Sequence, residues 1–284
     1  MYCLTVDGSF ESWRDAARLA LQAGLGPQEV QWNDGQATPG LFDSIALNVP
    51  QSNHPIAVSP ELLKLLKRAS RWRGETRWSL LYRVLWRYVR GERSAILPGD
   101  EDGSVLHNRI KAVRREAHHL HAFLRLQPCS DTAAPDFVAW FEPAHDILPE
   151  ASEHFCDRLG QHSWLIATPR DGVYWDGRTL RHERECPVQW RDWAQNPEAA
   201  GQALWQAYYS STFNPARLNP KVMAQHLPVR FWKNLPEGPL IGQMMSDARA
   251  GAQRDGQAQH LAGRKGKRIE RAPVNAADGP DRLR

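Results

Sequence analysis

The chain has 284 residues, 42% of them hydrophobic and 24% charged, with a formal net charge of +4. That composition is ordinary for a globular protein able to bury a sizeable core. It excludes a membrane-spanning helix, because no apolar run approaches ~20 residues, and the N-terminus lacks the basic start and apolar stretch of a secretion signal.

Tyr2–Val6 alternates loosely and predicts a strand, closed by a turn at Asp7-Gly8. Ser9 then caps a helix over Phe10–Ala23, with Phe10, Trp13, Ala17, Ala20 and Leu21 on one face and Gly24 and Gly26 ending it. Residues 25–58 are rich in Pro, Gly, Asn and Asp and offer only short strands, at Glu29–Trp32 and Ile45–Val49. Ser59-Pro60-Glu61 is a helix start, with a capping hydroxyl, a proline at the first helical position and a carboxylate in the first turn. After a break at Gly74, a second helix runs over Thr76–Val89. The acidic loop Pro98–Gly103 then leads to a third, capped by Asp102 or Ser104, whose Leu106, Ile110, Val113, Ala117, Leu120 and Leu124 recur at helical spacing.

Beyond a loop at Pro128–Pro135 the pattern turns to strands. Phe137–Phe141 is aromatic, and Trp164–Thr168 and Val173–Trp175 flank Pro169-Arg170-Asp171-Gly172 as a hairpin, with a short helix near Glu150–Leu159 between them. From Pro197 the chain is helical again, first over Ala199–Ser211, then in pieces broken by Pro215, Pro220, Pro228 and Pro236. The last residues hold few large apolar side chains, too little to offset the entropy of ordering them. The elements predict an α+β fold. It is a mainly helical single domain over residues 1–246 with a small antiparallel sheet, followed by a disordered basic tail over residues 247–284.

The charge is segregated. Residues 64–125 hold fifteen Lys/Arg against six Asp/Glu, and residues 247–284 hold nine against five. The stretch WRGETRWSLLYRVLWRYVRGER alone carries six arginines and three tryptophans. At ~100° per residue, Trp78, Leu81, Tyr82, Leu85 and Val89 share one face, and Arg83, Arg87 and Arg90 lie roughly opposite. The next helix repeats the arrangement, with Lys111, Arg114, Arg115 and His118 away from its apolar stripe. An arginine fork matches phosphate oxygens and stacks on flat rings. The expectation is one cationic face built from Arg71, Arg73, Arg77, Arg83, Arg87, Arg90, Lys111, Arg114, Arg115 and His118, extended by Arg217 and Lys221. Trp72, before the regular helix, is the indole expected to be exposed enough to stack on a base. The alternative is a solvated or internally paired surface.

Candidates for chemistry are sparse. FVAWFEPAHDIL sets Glu142, His145 and Asp146 just past a strand end, types suited to general acid–base work or to holding a metal, though the same residues are common in turns and caps. His118, His119 and His121 lack the HExxH spacing of a zinc helix. Cys3, Cys129, Cys156 and Cys186 are too far apart for a CxxC pair, so no iron–sulfur or zinc centre, and no other cofactor or metal, is expected. The compartment expected is the reducing cytoplasm.

The segments SRWRGETRWSLLYRVLWRYVRGE, KAVRREAHHLHAFLRL, FVAWFEPAHDIL, HSWLIATPRDGVYWDG and YYSSTFNPARLNPK…FWKNLPEG resemble a bacterial family known as domain of unknown function 4130, which carries a DNA metabolism or repair label. The likeness runs from about Tyr2 to Gly238. It implies a DNA context, since family members accompany a radical-SAM protein assigned to DNA repair and some are fused to a uracil-DNA glycosylase domain. It implies no catalytic residues. The function expected is a DNA-binding accessory protein in repair or modification, with DNA and such a radical-SAM or glycosylase protein as partners and no membrane. The alternatives are a nuclease or lyase using Glu142, His145 and Asp146, or a protein-interaction module docking the radical-SAM partner.

Overall fold

The computed structural model describes residues 1–34, 56–214 and 218–250. Strand β1 (Tyr2–Thr5) and strand β2 (Val30–Asn33) pair in parallel, joined through helix α1 (Phe10–Gln22). Ser9 caps α1 as its side chain accepts from the Ser12 N–H at 3.1 Å. Gly24 ends the helix with φ +72°, a conformation open to glycine at little cost, and lets Leu25 N–H reach back to Ala20 O at 3.0 Å.

Helix α2 (Pro60–Ala69) starts at its Ser59 cap as its sequence predicts, and α3 (Arg77–Val89) follows. Together with α1 they enclose a first core around the fully buried Trp13, Leu62, Leu66, Leu81 and Tyr82. Trp13 stacks on Trp78 with ring centroids 5.9 Å apart, and Tyr82 meets Trp32 edge-on at 5.4 Å. The Tyr82 hydroxyl is paired inside the core, donating to Leu25 O at 2.6 Å.

Helix α4 (Glu101–Phe123) is capped by neither Asp102 nor Ser104. Asp100 takes that place, its carboxylate accepting from the N–H groups of Asp102 and Gly103, so half of the predicted acidic loop is the first turn of the helix. The apolar stripe is as predicted. It serves two cores in succession: Leu106 and Ile110 enter the first, while Val113 and Leu120 enter a second beneath the larger sheet.

That sheet has the order β3-β4-β5-β6-β7, with β3 Gln127–Pro128, β4 Phe137–Trp140, β5 Trp164–Ala167, β6 Gly172–Trp175 and β7 Leu180–Glu183. The β5–β6 hairpin has the predicted register, Ile166 opposite Val173. The sheet is mixed, however, because β4 and β5 run parallel. Two short helices, α5 (Leu148–Ala151) and α6 (Glu153–Leu159), make that crossover where one helix was predicted. The second core gathers Leu120, Ile147, Leu148, Phe155, Trp164, Ile166 and Phe231.

Helix α7 (Val188–Gln195), absent from the sequence prediction, covers the opposite face at Ala167 and Cys186. Then come α8 (Ala199–Thr212), α9 (Pro220–His226), a short 3-10 turn over Val229–Asn234, and α10 (Gly238–Ala250), which carries helix four residues past the predicted domain end. Among the described residues, the chain is thus α+β and mainly helical, and no helix is long and apolar enough to cross a membrane. The strand predicted at Ile45–Val49 and the tail after Ala250 lie outside the described residues.

Candidate nucleic-acid interface

The arginines of α3 do not form an open cationic back. Arg83 donates to Asp102 Oδ1 from Nε and Nη2, at 2.8 and 2.5 Å. Arg87 grips Asp100 through two parallel bonds of 2.8 and 2.7 Å, and also reaches Asp102 at 2.9 Å and Glu92 at 2.8 Å. These bonds push the Arg87 pKa up. Burial by itself would raise the Asp102 pKa, but the bonds from Arg83 and Arg87 outweigh it and hold the carboxyl low. The acidic stretch beyond α3 is therefore the partner of its arginines, and the pair fixes the start of α4. Arg90 is exposed, with its guanidinium 4.1 Å from the Trp86 ring centre.

The segment between α2 and α3 is also neutralised. Arg71 meets Glu150 at 3.1 Å. Arg73 lies 3.8 Å from Asp146 and 3.7 Å from Asp171. Arg77 donates to Ser70 O and Gly8 O and faces Asp146 at 3.9 Å, and its burial lowers its pKa to about 10 despite that carboxylate. Trp72 is half-buried, and the Arg109 guanidinium sits 4.0 Å from its ring centre. The indole expected to meet a base is thus already stacked on a cation within the fold.

The predicted acid–base trio is divided between two environments. Glu142 accepts from Lys233 at 2.6 Å and from the Trp140 indole N–H at 3.1 Å. His145 packs beside Trp72, accepts the Arg73 N–H on Nδ1 at 3.5 Å, and has its pKa lowered by burial. Asp146 is buried and belongs to a network from three elements: Arg184 donates to it at 2.9 Å, and Asp171 and His182 bring their ligand-type atoms within 4.8 Å of it and of each other. His182 meets Asp171 at 3.2 Å. Two carboxylates and an imidazole would suit a divalent ion, but Arg73, Arg77 and Arg184 already supply three positive charges there. This network of partly buried charges ties the α2–α3 segment to the sheet.

What remains open lies on α4. Lys111, Arg114, Arg115 and His118 are exposed, and their side chains make no ion pair or hydrogen bond among the described residues. They sit on one stripe with Val105, Asn108 and Ala122, and no carboxylate shares that stripe between residues 105 and 122. The acid of that turn, Glu116, points inward, where it is held by Arg230 and by the Ala144 N–H at 2.9 Å. His119 is buried against Phe123 and Phe231, and burial lowers its pKa. His121 Nε2 meets Ala151 O at 2.8 Å. Lys221 is exposed on α9, and Arg217 lies outside the described residues.

The structure thus brings together Lys111, Arg114, Arg115 and His118 and separates them from the paired arginines of α3. For α3 the internally paired alternative holds, with Asp100, Asp102 and Glu92 as the partners. The signal was their opposite charge, close beyond its C-terminal end.

A family model described as a domain of unknown function, DUF4130, matches residues 75–237. No curated protein and no solved structure matches.

Proposed function

The chain belongs to the DUF4130 family, and on that premise we propose that it is a DNA-binding accessory protein of bacterial DNA repair or modification, acting in the cytoplasm beside a radical-SAM or glycosylase partner. The observation that carries this reading is the α4 strip, three guanidinium or ammonium groups and an imidazole on one solvent-facing side with no carboxylate answering them among the described residues. Lys111 to His118 spans ~10 Å along the helix at ~1.5 Å per residue. That length faces about three successive phosphates at ~3.4 Å each along one strand. Neutralising them releases counterions, which gives sequence-independent affinity that falls as salt rises. The nine Lys/Arg of residues 247–284 add to the same term.

Chemistry is then the partner's task. Glu142 is held by Lys233 and Trp140, and Asp146 is buried with its Oδ2 bonded by Arg184, which supports leaving the chemistry to the partner. The test is a gel-shift titration of single- and double-stranded oligonucleotides with the wild type and with a Lys111→Gln, Arg114→Gln, Arg115→Gln variant. Weaker retardation by the variant supports the reading. Equal retardation by both proteins removes it.

A further inference from the structure

A cavity of about 530 Å³ opens where the C-terminal helices return to the edge of the larger sheet, within the size range of small-molecule sites. Its walls come from β3 and β4, the end of α7, one face of α8 and the turn at residues 233–239. Five primary amides line it: Gln127, Gln195, Gln202, Gln206 and Asn234. Each carries both a donor and an acceptor, but the Gln206 amide N–H is already donated to Pro236 O at 3.0 Å, which leaves its oxygen and the other four amides for a ligand. Trp140 supplies an aromatic wall. Gln127 is more than nine-tenths buried, and its side-chain oxygen has no hydrogen-bond partner among the described residues.

Charge decides what the cavity prefers. The cations lining it are Arg125 and Lys233, and each is committed to a carboxylate: Arg125 to Glu237 at 2.8 and 3.0 Å, Lys233 to Glu142 at 2.6 Å. The lining is therefore neutral in sum, rich in paired donors and acceptors, and has an indole at one side. A phosphate would find no free cation there, and an apolar ligand would strand the amides.

We propose that this cavity binds a neutral, planar heterocycle of the nucleobase class, with the amides reading its polar edge and Trp140 flanking its ring. The identity of the ligand rests on the DNA-binding reading above. The two regions are connected through α4, which ends at Phe123, two residues before Arg125 at the cavity wall. The cationic strip on that helix would hold a backbone while a displaced base enters the cavity.

The experiment is saturation-transfer NMR of the full chain with uridine, thymidine, adenosine and guanosine, none of which carries phosphate, and with glucose and maltose as neutral polyols. At least one nucleoside should receive transfer with a millimolar or tighter Kd. Gln127→Leu should weaken it about tenfold, and so should Gln202→Leu, whose exposed position spares the fold. No transfer to any nucleoside overturns the proposal. So does binding unaltered in both variants, or transfer to the sugars alone. Because nucleosides lack phosphate, this result is independent of the α4 strip. Loss of DNA affinity in the strip variant with no nucleoside signal would remove the cavity proposal and leave the DNA reading standing.

Discussion

Arg87 and Asp100 meet through two parallel hydrogen bonds, Nη1 to Oδ1 at 2.8 Å and Nη2 to Oδ2 at 2.7 Å, while the same carboxylate caps helix α4. One acid therefore joins the arginine helix to the start of its neighbour. The bonds from Arg87 hold the Asp100 pKa down at about 2. An unfolded aspartate titrates near ~3.9. A carboxylate with a depressed folded pKa stabilises above the unfolded value and loses that contribution as pH falls through the folded one. Asp100→Asn keeps an amide oxygen able to cap but carries no charge. Its urea midpoint should lie below that of the wild type from about pH 5 to pH 7, and the gap should close progressively below about pH 4. A gap of constant size down to about pH 2 would show that the ion pair contributes nothing.

Asp102 is the buried partner that Arg83 and Arg87 share. Asp102→Ala leaves Arg83 without its carboxylate, while Arg87 keeps Asp100 and Glu92. The loss should be about 1–3 kcal/mol at neutral pH, the range for stranding charged hydrogen-bonding groups. Restoring part of the loss by adding Arg83→Met in the same chain would identify unpaired charge as the cause. Chemical denaturation of the single and double variants measures both.

Gly103 lies inside α4, where alanine is ordinarily favoured over glycine by about 1 kcal/mol. Here the sign should reverse. A Cβ at Gly103 would lie 2.0 Å from the backbone oxygen of Leu97, so the turn before the helix must shift. Gly103→Ala should melt at a lower temperature than the wild type. A higher melting temperature would mean that residues 97–100 yield without cost.

Phe231 docks the turn at Val229–Asn234 onto the second core, stacked on Phe141 at 5.2 Å and edge-on to His119 at 5.5 Å. It is almost fully buried. Phe231→Ala should cost about 3–5 kcal/mol. Limited proteolysis should then cut first in residues 218–250, whereas digestion spread evenly along the chain would contradict that docking role.

Where a single cap and an apolar stripe suffice, the sequence is legible: Ser9, Ser59 and the Leu106–Leu124 spacing each place a helix correctly. The Pro169–Gly172 hairpin is legible for the same reason, since its turn chemistry is local. The strands β3 and β7 are not, because they are short, polar and defined by neighbours far along the chain. Helix α7 escapes notice because Ala194 is its sole buried residue. The expectation of an open arginine face on α3 fails for an electrostatic reason. Helical periodicity shows that Arg83 and Arg87 leave the core, but it cannot show that the chain turns back and sets Asp102 and Asp100 against them 19 and 13 residues later. The α4 strip stays open because the acid of its turn, Glu116, falls on the inward side of the helix.

On the proposed DNA-binding reading, salt dependence separates the two basic helices most directly. With a labelled duplex, the slope of log K against log[salt] should be shallower by about 2–3 in the Lys111→Gln, Arg114→Gln, Arg115→Gln variant, at ~0.9 for each phosphate left unneutralised. Arg83→Gln with Arg87→Gln should lower the melting temperature and leave the slope of the folded protein unchanged. An unaltered slope in the α4 variant, or a loss of slope confined to the α3 variant, would contradict the assignment of the strip.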